Sequence, residues 1–251
     1  LNPLVVAAAQ PDSKRVVQYY GQQISDQGLK FHIAELVNNA DNKTCATNVL
    51  IGSSGLLKNK TMSINGRDPG QASNDWYWNE IKTVQNAGVK VSLWLRHDFD
   101  GIDLDIEDGE GGCTDQSMIL NDTVHLVRQL RVDFGPNFLV TLAPVSSALL
   151  KKERTLYGGS WTGLKMLAFY EQCVNEGGWK LERIVTTITA SSDFTYPLPR
   201  SSWLGLNVTG PTIEALVSKY ANFGGVGGFD YYDAQPGGYK HPWQWSRWAA
   251  R

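Results

Sequence analysis

The sequence predicts an α/β protein built as a TIM-type (β/α)8 barrel, and three observations carry that expectation. Short β-branched or aromatic runs alternate with stretches of helical period along the 251 residues, the pattern of a parallel sheet with crossover helices. The length suits a single domain over 1–251 with a substantial core. The third observation is Asp100-Gly101-Ile102-Asp103-Leu104-Asp105-Ile106-Glu107, whose last five positions alternate acidic and aliphatic side chains.

Taken in order, strands are expected at Val16–Tyr20, Phe31–Val37, Val89–Leu95, Gly101–Glu107, Phe138–Val145, Arg183–Ala190 and Gly225–Tyr232. Helical patterns fit Trp76–Ala87, Asn121–Phe134, Phe169–Glu176 and Thr212–Tyr220. Pro211 falls near the start of the last, and Gly88, Gly135 and Gly177 fall just past the ends of the other three.

Two joins are too short for a complete barrel. Val89–Leu95 runs into Gly101–Glu107 across Arg96-His97-Asp98-Phe99-Asp100, whereas a parallel crossover takes about a dozen residues or more, usually with a helix. An antiparallel hairpin would need turn residues that are absent here, so part of the third βα unit is expected to be missing. Near Met166-Leu167 no strand-like run stands where a sixth strand is due. A closed ring cannot omit a strand without exposing edges, so breaks are expected between Leu95 and Arg96 and near Met166–Phe169.

The acidic strand is where chemistry is expected. Successive side chains of a strand point to opposite faces, so Asp103, Asp105 and Glu107 form one row and Ile102, Leu104 and Ile106 the other. Carboxylates two apart lie ~7 Å from each other, close enough in a sheltered site to push their pKa values apart and keep one protonated as a general acid. The alternative is an acidic edge that keeps the protein soluble. The apolar second face argues instead for a central strand.

Composition narrows the partners. The net charge of −2 offers nothing to a polyanion, so nucleic acid is not expected. No apolar run approaches the ~20 residues of a membrane span, and the uncharged start Leu1–Ala9 is too short for an intact signal peptide, so a processed chain is expected. Asn-x-Ser/Thr sequons at Asn42, Asn59, Asn121 and Asn207 point toward the secretory route and a secreted protein. Cys45, Cys113 and Cys173 lack metal-ligand spacing and leave open one disulfide with a free thiol or three unpaired residues. His32, His97, His125 and His241 are scattered without metal spacing. Nine Trp and ten Tyr suit sugar-binding clefts, although many aromatics fill cores.

Asp100–Glu107 resembles the DxxDxDxE signature of family 18 glycoside hydrolases, the chitinases and endo-β-N-acetylglucosaminidases, with all four acidic positions intact. Residues 129–145, QLRVDFGPNFLVTLAPV, look like the fourth helix and fifth strand of the fungal endo-β-N-acetylglucosaminidases of that family. Residues 224–238, GGVGGFDYYDAQPGG, followed by Pro242-Trp243-Gln244-Trp245, are similar to their eighth strand and closing helix.

The resemblance implies substrate assistance, in which the N-acetyl oxygen of the sugar attacks its own anomeric carbon. On that model Glu107 protonates the leaving oxygen and then activates water. Asp105 orients the acetamido N–H and offsets the oxazolinium charge, Asp103 holds Asp105 and shares its proton, and Asp100 is structural. Tyr19 or Tyr20 would line the sugar site. Phe229 stands where the family commonly has Trp, and strand alternation puts Tyr231 on the face of Phe229 and Asp230 with Tyr232 on the other. The implied activity is hydrolysis of the β-1,4 bond between the two core GlcNAc residues of N-glycans, with N-glycans or glycoproteins as partners. A chitinase acting on chitin oligosaccharides and a non-catalytic carbohydrate-binding or inhibitor protein are the alternatives. No metal or organic cofactor is implied, and a monomer is expected.

Overall fold

The structure, a computed structural model, describes residues 4–7, 14–25, 28–40, 43–52, 54–56, 62–64, 68–93, 100–106, 116–144, 163–192 and 203–251. In chain order the strands are β1 (Leu4–Ala7), β2 (Arg15–Tyr20), β3 (Asn48–Ile51), β4 (Ser54–Leu56), β5 (Met62–Ile64), β6 (Lys90–Leu93), β7 (Gly101–Ile106), β8 (Leu139–Pro144), β9 (Ile184–Thr189) and β10 (Gly225–Phe229). The α-helices are α1 (Asp75–Asn86), α2 (Gln116–Phe134), α3 (Gly163–Asn175), α4 (Leu206–Lys219) and α5 (Gln244–Ala249). β4 and β5 pair as a separate antiparallel ribbon. The other eight close into a barrel in the order β1-β8-β7-β6-β3-β2-β10-β9.

From β8 round to β9 every neighbouring pair is parallel. The remaining seat, where a sixth parallel strand is expected, is taken by β1, antiparallel to both β8 and β9. Either direction satisfies the N–H and C=O groups of the flanking strands, which is what an otherwise open edge requires. Met166–Phe169 lies inside α3, so the break expected there is absent: the ring is closed from the N-terminal end instead.

The join Leu95–Arg96 lies outside the described residues. β6 and β7 on either side of it are parallel, paired at Ser92↔Gly101, so the antiparallel hairpin is not formed. β7 begins beside the end of β6.

Several element boundaries differ from expectation. Phe31–Val37 is not a strand; Ile33–Leu36 forms a 3₁₀ turn, whose buried Ile33 and Leu36 have the three-residue spacing of that helix. Glu80 on α1 accepts the Ala34 N–H at 3.2 Å and so stabilises the turn. β3 was not foreseen, because four residues without alternation give little periodic signal. α2, α3 and α4 begin earlier than their patterns, at Gln116, Gly163 and Leu206. Pro211 therefore sits inside α4, where its missing N–H forfeits a bond to the first-turn carbonyl of Asn207.

Alternation along the strands builds two cores. Outward residues Val16, Ile184, Ile188 and Val226 pack against Phe169, Tyr170, Ile213, Leu216 and Trp245 of α3, α4 and α5. Outward Tyr20, Val49, Ile51 and Val91 pack against Tyr77, Ile81 and Val84 of α1. The inward set is Val17, Leu50, Ala143 and Val185, with Tyr19 packed against it. Among the described residues no helix is long and apolar enough to cross a membrane. Cys45 and Cys173 are free, and Cys113 lies outside the description.

Candidate functional site

The lumen-facing positions of β7 carry the acidic row. Asp103 is opposite Thr141 of β8, is 5% exposed and accepts a hydrogen bond from the Thr141 hydroxyl. Thr141 is two residues from the lumen residue Ala143, so the pair faces inward. Asp105 takes the next position on the same face, in register with Ala143. Glu107 follows β7 and lies outside the described residues.

The aromatic wall stands on other strands. Tyr19 near the end of β2 and Phe229 at the end of β10 make an edge-to-face pair, with centroids 5.6 Å apart and planes at 72°. Tyr19 also packs on the lumen cluster, so the pair lies inside the barrel at the C-terminal ends of its strands. The structure thus brings Asp103, Tyr19 and Phe229 to one lumen and places Asp105 by register on the same side of β7.

Tyr231 is not brought there. It is fully buried in the outer core with Tyr20, its ring edge-on to that of Tyr20 at 5.7 Å, and its hydroxyl donates to the His32 carbonyl at 3.1 Å. β10 ends at Phe229, so the two-residue alternation that groups Phe229 with Tyr231 stops before reaching it. Tyr20 also belongs to this outer core, and its hydroxyl donates to the Phe31 carbonyl.

Asp230 supplies a feature that reading the strand alone did not resolve. Its buried carboxylate accepts the backbone N–H groups of Gly21 and Gln22, each at 3.0 Å, and that of Tyr231. Burial pushes its pKa up to about 7 against the lowering effect of those three donors, with Asp233 adding repulsion. The tie joins the ends of β2 and β10 and so holds the Tyr19–Phe229 pair together. A signal for it existed in Gly21: a Cβ there would meet Asp230 Oδ2 at 2.7 Å, but the two are far apart in sequence. Thr187 and Thr189, two and four residues beyond Val185 on β9, also lie on the lumen face, and along the sequence they have only the signal of strand formers.

Among the described residues no group of His, Cys, Asp and Glu is arranged to hold a metal ion. His32 is at the surface against Glu80. A cavity of about 1030 Å³ opens at the opposite mouth, bordered by Arg15, Asn48, Lys90, Asp100, Leu139 and Arg183. These residues lie at or just before strand starts, so this cavity is separate from the row that runs toward the strand ends. Asp103 and the aromatic pair thus stand on the lumen side, and the pair lies at the C-terminal ends of its strands.

No protein-family model and no curated protein matches the chain. Its fold is similar to that of a fungal endo-β-N-acetylglucosaminidase from glycosyl hydrolase family 18, with 23% identity, 95% of this chain and 98% of that one covered, and a TM-score of 0.75. A chitinase from Aspergillus fumigatus gives 22% identity, coverage of 94% and 98%, and a TM-score of 0.70. A family GH18 chitinase from Chromobacterium violaceum gives 15% identity, coverage of 94% and 82%, and a TM-score of 0.65. The barrel is therefore of the kind found in family 18 structures, in agreement with the resemblance of the acidic strand.

Proposed function

We propose that this chain is a secreted, monomeric glycoside hydrolase of family 18 type that cleaves the β-1,4 bond between the two core GlcNAc residues of N-glycans. The observation that carries the reading is the placement of the DxxDxDxE strand: β7 is an interior strand of the barrel, and Asp103 faces the lumen where Thr141 fixes it. The likeness to an endo-β-N-acetylglucosaminidase of the same fold supports it, and Asn207, exposed in the first turn of α4, supports passage through the secretory route.

In this reading the acetamido oxygen of the substrate attacks the anomeric carbon while Glu107 gives its proton to the departing glycosidic oxygen. Asp105 accepts the acetamido N–H and offsets the positive charge of the oxazolinium. Asp103, held by Thr141, orients Asp105. Water, deprotonated by Glu107, then opens the oxazolinium with net retention. Phe229, braced edge-on by Tyr19, is the aromatic surface for a sugar ring. No metal or organic cofactor enters these steps.

Glu107→Gln keeps the shape and removes the proton donor, so release of glycan from a high-mannose glycoprotein should fall by about a hundredfold or more with folding unchanged by circular dichroism. Activity within about tenfold of the parent would overturn the assignment. Asp105→Asn should slow ordinary substrates more than preformed glycosyl oxazolines, because it acts in forming the ring; equal impairment of both would refute separate roles.

The chitinases among the structural neighbours support a second reading, hydrolysis of chitin oligosaccharides by the same acids. Digesting a high-mannose glycoprotein and a chitin oligomer side by side separates the two.

A further inference from the structure

We infer that Thr187 and Thr189 of β9 are specificity-determining residues of the saccharide site, hydrogen-bonding hydroxyl or amide groups of the sugar that lies against Phe229 and Tyr19. The inference rests on the proposed function and adds to it a polar wall that the acidic signature does not contain.

Three observations place the pair. Val185 belongs to the lumen cluster, so alternation along β9 puts Thr187 and Thr189 on the same inward face. Thr189 is in register with Phe229 and Thr187 with Gly227 of the adjacent strand, which sets one hydroxyl beside the aromatic pair and the other a step below it. Gly227 stands tight against Thr187, since a Cβ there would lie 2.9 Å from the Thr187 hydroxyl, so no neighbouring side chain from that position covers the hydroxyl.

Both residues are buried, at 1% and 5% exposure, yet neither hydroxyl has a hydrogen-bond partner within the protein. A buried polar group is ordinarily paired, by protein, by water or by a ligand. Each threonine hydroxyl both donates and accepts, as do the hydroxyls of a sugar. Thr186 also lacks a partner, so the missing bond does not by itself mark a ligand contact. Thr186 points to the opposite face, however, and is therefore a control within the same strand.

The test uses the full chain carrying Glu107→Gln, so that binding is read without turnover, with a high-mannose glycopeptide that keeps its two core GlcNAc residues as the calorimetric probe. Thr187→Val and Thr189→Val keep the shape and remove the hydroxyl. Each should raise Kd about tenfold, the scale of one lost hydrogen bond. Thr187→Ser and Thr189→Ser should hold Kd within about twofold of the parent, and Thr186→Val should leave it unchanged. Because the hydroxyls have no partner in the protein, the valine variants should keep the parent's melting temperature. If one fails to fold, Thr→Ala against Thr→Ser at that position reads the same difference. If the parent binds and both valine variants bind within twofold of it, the hydroxyls meet only water and the inference falls while the proposed function stands. If the parent binds neither the glycopeptide nor tri-N-acetylchitotriose, the saccharide site itself is wrong and the inference falls with it.

Discussion

Between β10 and β2, four residue pairs run in register from Gly225↔Arg15 to Gly228↔Gln18, and side chains reinforce them. Arg15 donates from Nε to the Gly224 carbonyl at 3.0 Å and from Nη2 to that of Glu182. Gln18 donates to Gly228 at 3.1 Å and accepts from the Ser246 hydroxyl at 3.2 Å, and Asp230 ties the two strand ends. Between β6 and β7 the register holds at Ser92↔Gly101, helped by Asp100. On its other side β7 is paired along its length with β8, and β8 meets β1 through Val6↔Leu142 and Ala7↔Thr141. The barrel is thus a five-strand block, β9-β10-β2-β3-β6, and a two-strand block, β7-β8, which meet thinly at β6–β7, while β1 bridges β8 and β9 on the far side.

The division runs through the candidate site. Tyr19, Phe229, Thr187 and Thr189 stand on the large block, whereas Asp103 and Asp105 stand on the small one. The small block is also less covered: its core is Ile102, Leu130 and Val140 with a few partly buried neighbours, and Val132 and Phe134 of α2 are exposed. On the proposed function, the wall against the sugar and the acids would therefore be held to each other across β6–β7 by few bonds, and that seam can be tested.

The largest effect is expected on the large block. Gly225 has φ +133°, and a Cβ there would meet the Arg15 carbonyl oxygen at 2.2 Å. Gly225→Ala should cost about 3 kcal/mol or more, because backbone conformation and contact are both incompatible with a side chain. Urea denaturation should show one cooperative loss. A midpoint close to the parent's would mean that this seam can separate without unfolding the block.

A smaller effect should follow pH. The folded pKa of Asp230, raised by burial to about 7, exceeds its ordinary value, so its contribution to stability is full below about pH 4 and is lost as pH rises through 7. The full span is on the order of a few kcal/mol. Asp230→Asn lacks the titration, so the difference in stability between parent and variant should change between pH 4 and 8 in that direction. A constant difference would show that the carboxyl ionises normally and that its three donors outweigh burial.

These contrasts also explain what could be read along the chain. β2, β6, β7, β8, β9 and β10 each carry a β-branched or alternating run bounded by turn residues, and the acidic row announces its own facing because alternation within one strand decides it. β1 was not legible as a strand, since Leu-Val-Val-Ala has no pattern of its own and acquires a role from the vacant seat between β8 and β9. Tyr231 leaves the lumen face that strand alternation gives it, because β10 ends at Phe229. Asp230 meets Gly21 and Gln22 only when the ring closes, and the hydroxyls of Thr187 and Thr189 become distinctive only when the rest of the lumen leaves them unpaired. Local pattern thus identified most of the barrel strands and the facing of Asp103, while whatever depends on ring closure required the fold.

The smallest effect should sharpen the comparison most. Asp100 precedes β7, and its Oδ2 accepts the Val91 N–H at 3.0 Å while its own N–H donates to the Val91 carbonyl at the same distance. Its Oδ1 pairs with Lys90 at 3.1 Å, but both side chains are partly exposed, so the charge pair should contribute little. Asp100→Asn keeps an oxygen for Val91 and should cost well under ~1 kcal/mol, whereas Asp100→Ala removes the acceptor and should cost about 1 kcal/mol. Because this bond lies on the seam beside the acidic strand, Asp100→Ala should also lower hydrolysis severalfold by loosening β7 against the block that carries Phe229. Amide exchange should quicken at Val91 and Gly101 and remain as in the parent at Val17 and Val226. If the loss in exchange protection spreads equally to Val17 and Val226, the two blocks open as one and the division fails. If exchange is unchanged but hydrolysis falls, Asp100 acts on the acids by some route other than the seam.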